Sequence, residues 1–419
     1  VYGKGESNQN HHIHQRKKGI TIKKLLFLIV IITHAIVLSG CWSKKELTDL
    51  AFVIAVGVDK KDGKYVITLQ VVNPGNVAGA TQRGGGGSGV PVTLYTSTGD
   101  TLVEASRKVS KKVSRITYYA HTNLVVIGEQ LAREGIKEIF DAIERNPQFR
   151  TTASVVIARK QTAEQLLSVL TPIDKIPANQ MIKTLEMTET VWGENLNVHA
   201  GEIIEDFSLA GKEIVMSSFR LDRNLKKGQQ QENVQFVRPP ARLRASELAM
   251  FKNGKLVRWI SGEEARGVLW ILNKIKQTAI TVDWEGKEES VSYKVMRAKT
   301  EIAAKMKKGK PVLTIHVETE GDVGEVLVPI DFTNPANITN LETKLRKEIK
   351  KEIQKAIQQA QREKSDIFGL GEVVHRSYPE KWKKMKQTWN EQYFPNISVH
   401  VTVDTFIRRT GLRSNPYFP

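Results

Sequence analysis

Hydrophobic and polar positions run along this chain in two rhythms. Residues 46–58 form a mostly apolar run that ends in β-branched alternation. Asp62-Gly63 then supplies a turn, and Tyr65 to Val72 alternates with period two, which together predict a β-hairpin. Further strands are predicted at 92–98, 117–127 and 151–158. Helical spacing of Leu102, Val103, Ala105, Val109 and Val113, and of Leu131, Ile136, Ile139, Phe140 and Ile143, predicts helices at 100–114 and 129–144, with a shorter one at 161–170. Strands alternating with helices imply a sheet covered by helices. A helical connection is expected after Pro172 and Pro177. A second β-region follows from near Lys212, then a polar loop from Arg223 to Pro240.

The pattern then restarts. Strands are predicted at 243–251 and 256–260 around an Asn253-Gly254 turn, followed by a helix opened by Ser261 and Glu264 at capping-box spacing. Strands are expected at 277–283, 288–300 and 311–320, and residues 325–332 are expected to be extended. Leu341, Leu345, Ile349, Ile353, Ile357 and Ala360 mark one face of a helix of about 25 residues, with Thr339 and Glu342 at capping-box spacing before it. The last strand is predicted at 397–407. The fold class expected is α+β and multidomain: mixed β-sheets with covering helices, including a long amphipathic helix near the C-terminus. The expected divisions are a leader and signal peptide over 1–40, an N-terminal α/β domain over 41–171, a helical connection with a small β-region over 172–238, and a C-terminal α+β domain over 239–415.

Charge changes the picture at the start of the chain. The 419 residues carry 63 Lys and Arg against 45 Asp and Glu, a formal charge of +18. Such an excess suits nucleic acid, anionic lipid or an acidic partner. Lys23-Lys24 precede an apolar run from Leu25 to Leu38, broken only by Thr33 and His34. Fourteen residues fall short of the ~20 of a membrane-spanning helix but suit the apolar core of a secretory signal. Leu38-Ser39-Gly40-Cys41 follows, with the chain's single cysteine. One cysteine excludes an intrachain disulfide framework and a cysteine-built zinc site. The four-residue pattern matches a lipoprotein signal, so cleavage after Gly40 and a diacylglyceryl group on the Cys41 thiol, with N-acylation of the new terminus, are expected. Two or more acyl chains hold a protein stably on a membrane, where one is marginal. The competing reading is a buried cysteine behind an ordinary signal or a short membrane helix. Export would leave an exported chain of charge +13 with no nucleic-acid partner and no cofactor beyond the covalent lipid.

Little else points to chemistry. There is no Gly-x-Ser-x-Gly, His-Glu-x-x-His or Walker pattern. His121, His316 and His400 fall in predicted strands, and Asp59 and Asp62 flank the first turn, where turn chemistry accounts for them. Glu263-Glu264 offset a helix dipole. The glycine run 84–87 reads as flexible loop, not as a phosphate cradle. No enzyme activity is expected. The long helix is strongly basic, with Lys347, Lys350, Lys351 and Lys355 among its cations. Two readings stand for it: a solvated face, or a surface for anionic head groups or an acidic partner. Trp382, Met385 and Trp389 share one helical face and read as core.

Three stretches resemble one family. CWSKKELTDLAFVIAVGVDK (Cys41–Lys60), NGKLVRWISGEEARGVLWILNKI (Asn253–Ile275) and DIFGLGEVVHRSYPEKWKKMKQTWNEQYFPNISVHVTVDTFIRRTGL (Asp366–Leu412) are similar, in order, to the start of the mature chain, the opening of the C-terminal domain and the end of Ger(x)C proteins. These are the C subunits of bacterial spore germinant receptors. The resemblance implies a non-enzymatic lipoprotein on the outer face of the cell membrane, which becomes the spore inner membrane. It implies partnership there with an integral-membrane A subunit and a transporter-like B subunit. Lipidated Cys41 is the functional residue it carries over. The alternative is a nutrient-binding lipoprotein that captures the germinant itself.

Overall fold

Asp62 and Gly63 both take positive φ, 50° and 76°, which is what a two-residue hairpin turn requires. The turn joins β1 (Leu50–Lys61) to β2 (Lys64–Val72) in antiparallel register, with Lys61 opposite Lys64. This computed structural model describes residues 26–30, 33, 46–78 and 89–411. Cys41 with its signal, and the glycine run 84–87, lie outside the described residues. The chain forms two units, Val1–Leu50 and Ala51 onward. In the first, residues 26–30 are helical (α1) and Leu47–Asp49 form a 3₁₀ turn.

In the second unit the chain continues through α2 (Pro74–Ala78), β3 (Val92–Gly99), α3 (Leu102–Lys108), β4 (Ile116–Tyr118) and β5 (Leu124–Gly128). Next come α4 (Glu129–Glu134), α5 (Lys137–Glu144), β6 (Ser154–Ala158), α6 (Ala163–Leu167) and α7 (Pro177–Val191). Then follow β7 (Val198–His199), α8 (Ala200–Ser208), β8 (Val215–Arg223), α9 (Leu225–Gly228), β9 (Ala241–Lys252) and β10 (Lys255–Ile260). All ten strands share one sheet, ordered β10-β9-β8-β6-β5-β1-β2-β3, with β4 on β1 and β7 on β6. The centre is parallel and the flanks antiparallel. Parallel neighbours need a crossover, and helices supply it on both faces. β5 and β6 are therefore buried throughout, Val125 and Ile127 on one face, Leu124 and Val126 on the other. The divisions expected at 171 and 238 run through this sheet, because β8 hydrogen-bonds both to β6 before them and to β9 after them.

A second sheet, β11-β12-β13-β14, follows α10 (Gly262–Ile271): β11 (Thr278–Trp284), β12 (Lys287–Lys307), β13 (Lys310–Val326) and β14 (Ser398–Arg409). β14 lies parallel to β13, so the chain between them must cross over. It does so through α11 (Pro335–Arg362), α12 (Leu370–Ser377) and α13 (Pro379–Met385). Leu341, Leu345, Ile349, Ile353, Ala356, Ile357 and Ala360 are buried along α11, and Trp382, Met385 and Trp389 are buried after it, as the apolar stripes predict. One hydrophobic cluster runs from the first sheet through α10 and α11 into the second.

Four local expectations are corrected. The strand expected at 117–127 splits into β4 and β5, because Thr122 and Asn123 turn back to donate to the Val53 and Ile54 carbonyls. β13 stops at Val326, short of Pro329, which has no N–H to pair. α11 starts at Pro335, capped by Asn334, whose side chain accepts from the Ala336 amide (3.0 Å); Thr339 lies within the helix and donates to the Pro335 carbonyl. Ser261 occupies the N-cap position of α10 but makes no capping bond through its side chain.

Candidate functional site

The family-like stretch around residues 253–275 meets the long helix at the α10–α11 crossing. Gly267 makes the crossing close: a Cβ there would stand 2.2 Å from the Glu352 carbonyl oxygen. Glu352 is fully buried on the apolar stripe of α11. Arg266 donates to it through Nε (3.1 and 3.2 Å) and through Nη2, and the Trp270 indole donates at 3.0 Å. Burial raises the Glu352 carboxyl above its ordinary value, against Arg266 and Trp270, which lower it. The pair raises Arg266 despite its own burial. Sequence reading missed Glu352. The available signal was its place three residues after Ile349 and four before Ala356, on the core side of the helix.

An open cleft of about 600 Å³ lies beside this crossing, lined by Arg258, Trp259, Glu263, Glu264, Lys355 and Gln358 among others. Arg258 approaches Glu264 (3.8 Å) and Glu363 (3.7 Å) only loosely, and its buried Nε has no hydrogen-bond partner among the described residues. The Trp259 ring is held from both sides, its indole donating to Glu129 (3.2 Å) and the Arg159 guanidinium lying 4.8 Å from its centre. The four lysines singled out in the sequence separate here. Lys355 bonds Glu263 across the crossing, which holds the Glu263 carboxyl below its usual range. Lys351 bonds Glu348 on its own helix (2.8 Å). Lys347 and Lys350 are exposed and make no ion pair among the described residues.

A second buried polar cluster joins the start of β8 to the stretch from residue 365 to 391. The Glu213 amide donates to the Asp366 carbonyl (2.8 Å). The Glu213 carboxylate accepts from the Asn253 amide (2.9 Å) and the Asn390 side chain (2.8 Å). The Asp366 carboxylate accepts from the Gly371 and Leu370 amides (2.8 and 3.1 Å) and the Trp389 indole (2.8 Å). Burial pushes Asp366 up to about 6 and Glu213 up to about 7. Gly211 and Gly371 pack backbone to backbone beside the Trp382 ring, with no room for a Cβ at either. The Glu213 carboxylate ties β8 to residues 253 and 390, while the Asp366 carboxylate orders the stretch from 366 to 389.

Asp59 is also corrected. It is no turn residue but a buried strand residue, and its carboxylate accepts from the Ala163 and Glu164 amides (2.9 and 3.3 Å), capping α6. Gly128 leaves room for it, since a Cβ there would stand 2.1 Å from Asp59 Oδ1. His121 lies in the turn between β4 and β5, not in a strand, and packs on Phe52 and Tyr118. His316 and His400 lie in β13 and β14, as predicted.

Residues 43–221 match the family described as spore germination protein N-terminal domain, and residues 246–411 match spore germination B3/GerAC like, C-terminal. The chain is 41% identical to spore germination protein KC of Bacillus subtilis (strain 168), over 94% of this chain and 98% of that protein. The chain belongs to the Ger(x)C family of spore germination proteins. Within that family it is also 26% identical to spore germination protein A3 of the same organism, over 90% of this chain and 96% of that one. The fold is that of the GerBC crystal structure, with a TM-score of 0.53 at 18% identity, over 84% of this Ger(x)C chain and 96% of GerBC.

Proposed function

We propose that this Ger(x)C chain is a lipid-anchored, non-enzymatic component of a spore nutrient germinant receptor. It serves assembly of the receptor or transmission of its signal, beside integral-membrane A and B subunits. The lipid is a diacylglyceryl group on Cys41, left as N-terminal residue by cleavage after Gly40. The site of action is the outer face of the cell membrane, which in the spore is the inner membrane. One observation carries the reading: the Leu38-Ser39-Gly40-Cys41 pattern stands directly before a chain that matches both family domains in order. Cys41→Ala should move the protein out of the spore membrane fraction and impair nutrient-triggered germination, measured as loss of optical density. Full germination with a delocalised Cys41→Ala protein would sink the anchoring role.

One feature favours nutrient capture by the chain itself. The Arg258 cleft has the size of a small-molecule site, and the buried Arg258 Nε has no hydrogen-bond partner among the described residues. Saturable binding of a germinant to the isolated protein, lost on Arg258→Ala, would favour that second reading.

A further inference from the structure

Uncompensated charge on the folded body is not confined to the long helix. Residues 105–128 hold five basic residues, Arg107, Lys108, Lys111, Lys112 and Arg115, and no acid. Lys108 pairs with Glu104 (2.6 Å), and Lys112 donates to the Thr96 carbonyl (2.5 Å). Arg107, Lys111 and Arg115 are exposed and make no ion pair among the described residues. Val103, Arg107 and Lys111 recur every four residues along α3 and the 3₁₀ turn Val109–Lys111 that prolongs it, so they share one side. Val103 is 62% exposed, and Ile116, which opens β4 beside Arg115, is 51% exposed. The Ser106 and Tyr119 hydroxyls, 2.7 Å apart, tie α3 to the end of β4. Where β4 pairs with β1, the Phe52, Tyr118 and His121 rings meet edge to face or tilted, with centroids 5.3 to 6.1 Å apart.

We propose that this surface, formed by α3, β4 and the first residues of β1, rests on anionic lipid head groups. Cationic side chains, isolated apolar residues and a half-buried tyrosine among neighbouring rings are the combination that membrane interfaces attract. The covalent structure argues for lipid rather than an acidic protein. Phe52 is eleven residues from Cys41, so a lipid on Cys41 holds the ring cluster within roughly 36–40 Å of its attachment point. The surface then acts as the second of two membrane signals and fixes which side of the body faces the bilayer. This orientation rests on the Cys41 reading; the affinity of the surface for lipid does not.

The test uses the exported chain, residues 41–419, carrying Cys41→Ser, so that neither an acyl group nor the apolar run 25–38 contributes. Sedimentation with vesicles of phosphatidylglycerol mixed with phosphatidylcholine should show binding that weakens as salt rises, against little binding to phosphatidylcholine alone. Replacing Arg107, Lys111 and Arg115 together by Ala should weaken binding about 100-fold, at about fivefold per cation near an anionic surface. Urea unfolding should be unchanged, since all three side chains are exposed. Lys347→Ala with Lys350→Ala should change binding no more than about threefold. No binding to anionic vesicles, equal binding by the triple variant, or loss through the Lys347/Lys350 pair instead would overturn the proposal. A triple variant that binds lipid normally but no longer recovers an acidic partner subunit would overturn it too. Because the assay is done without acylation, its failure is distinct from failure of the Cys41→Ala germination test.

Discussion

Raising the pH should loosen the junction between β8 and the chain after α11, and Glu213 should account for much of the effect. Glu213 is buried, with Asp366 beside it adding negative charge and Lys137 and Lys252 drawing its pKa down. The balance lifts its carboxyl from 4.5 to about 7. The folded state then holds a proton that the unfolded state releases between those values. Stability from this group is complete below pH 4.5 and is lost as pH rises through about 7. At 1.36 kcal/mol per pKa unit, the whole displacement amounts to about 3 kcal/mol. Asp366, lifted from 3.8 to about 6, drives a fall in the same direction over a lower window. The assay is urea unfolding followed by tryptophan fluorescence at a series of pH values, on the native chain and on Glu213→Gln, which cannot titrate. The two stability curves should diverge in slope between pH 4.5 and 8, with the native chain losing up to about 3 kcal/mol more. Curves that stay parallel across that window would refute the assignment, whatever their offset.

Two further outcomes follow from the α10–α11 crossing. Gly267→Val gains helix propensity but drives a side chain into the Glu352 carbonyl, so the urea midpoint should fall by the equivalent of about 2 kcal/mol or more; an unchanged midpoint would mean the helices have room to part. Arg266→Ala leaves a buried carboxylate without its cation and should cost about 3–5 kcal/mol, whereas Arg266→Met with Glu352→Leu should restore most of it; a double variant as unstable as the single would show that more than this ion pair was lost.

Much of the architecture was readable from pattern. The Asp62-Gly63 hairpin and the apolar stripe of α11 depend on local periodicity and turn chemistry, and the structure shows both; Trp382, Met385 and Trp389 are buried as expected, but α13 ends at Met385 and Trp389 opens a separate turn. The candidate site was less readable. Lys347, Lys350, Lys351 and Lys355 are equivalent cations in sequence. Glu263 and Glu348 engage two of them, and one of those partners comes from a helix more than eighty residues away. Asp59 looked like turn chemistry because its partners, the Ala163 and Glu164 amides, lie about a hundred residues on.

By itself the sequence determined the family, the α+β class and most strands and helices. The elements follow from short-range rules, the 2.0 and 3.6 periods and φ preferences, and the family from three stretches in order. Only the tertiary structure decided that one sheet spans the expected domain boundaries. It also decided that Glu352, Glu213 and Asp366 are buried with specific donors, and that Arg107, Lys111 and Arg115 stand without ion pairs among the described residues on α3 and beside β4, as Lys347 and Lys350 do on α11. The reason is that the burial and compensation of a charge depend on what the rest of the chain brings within a few ångströms of it, which no local pattern records.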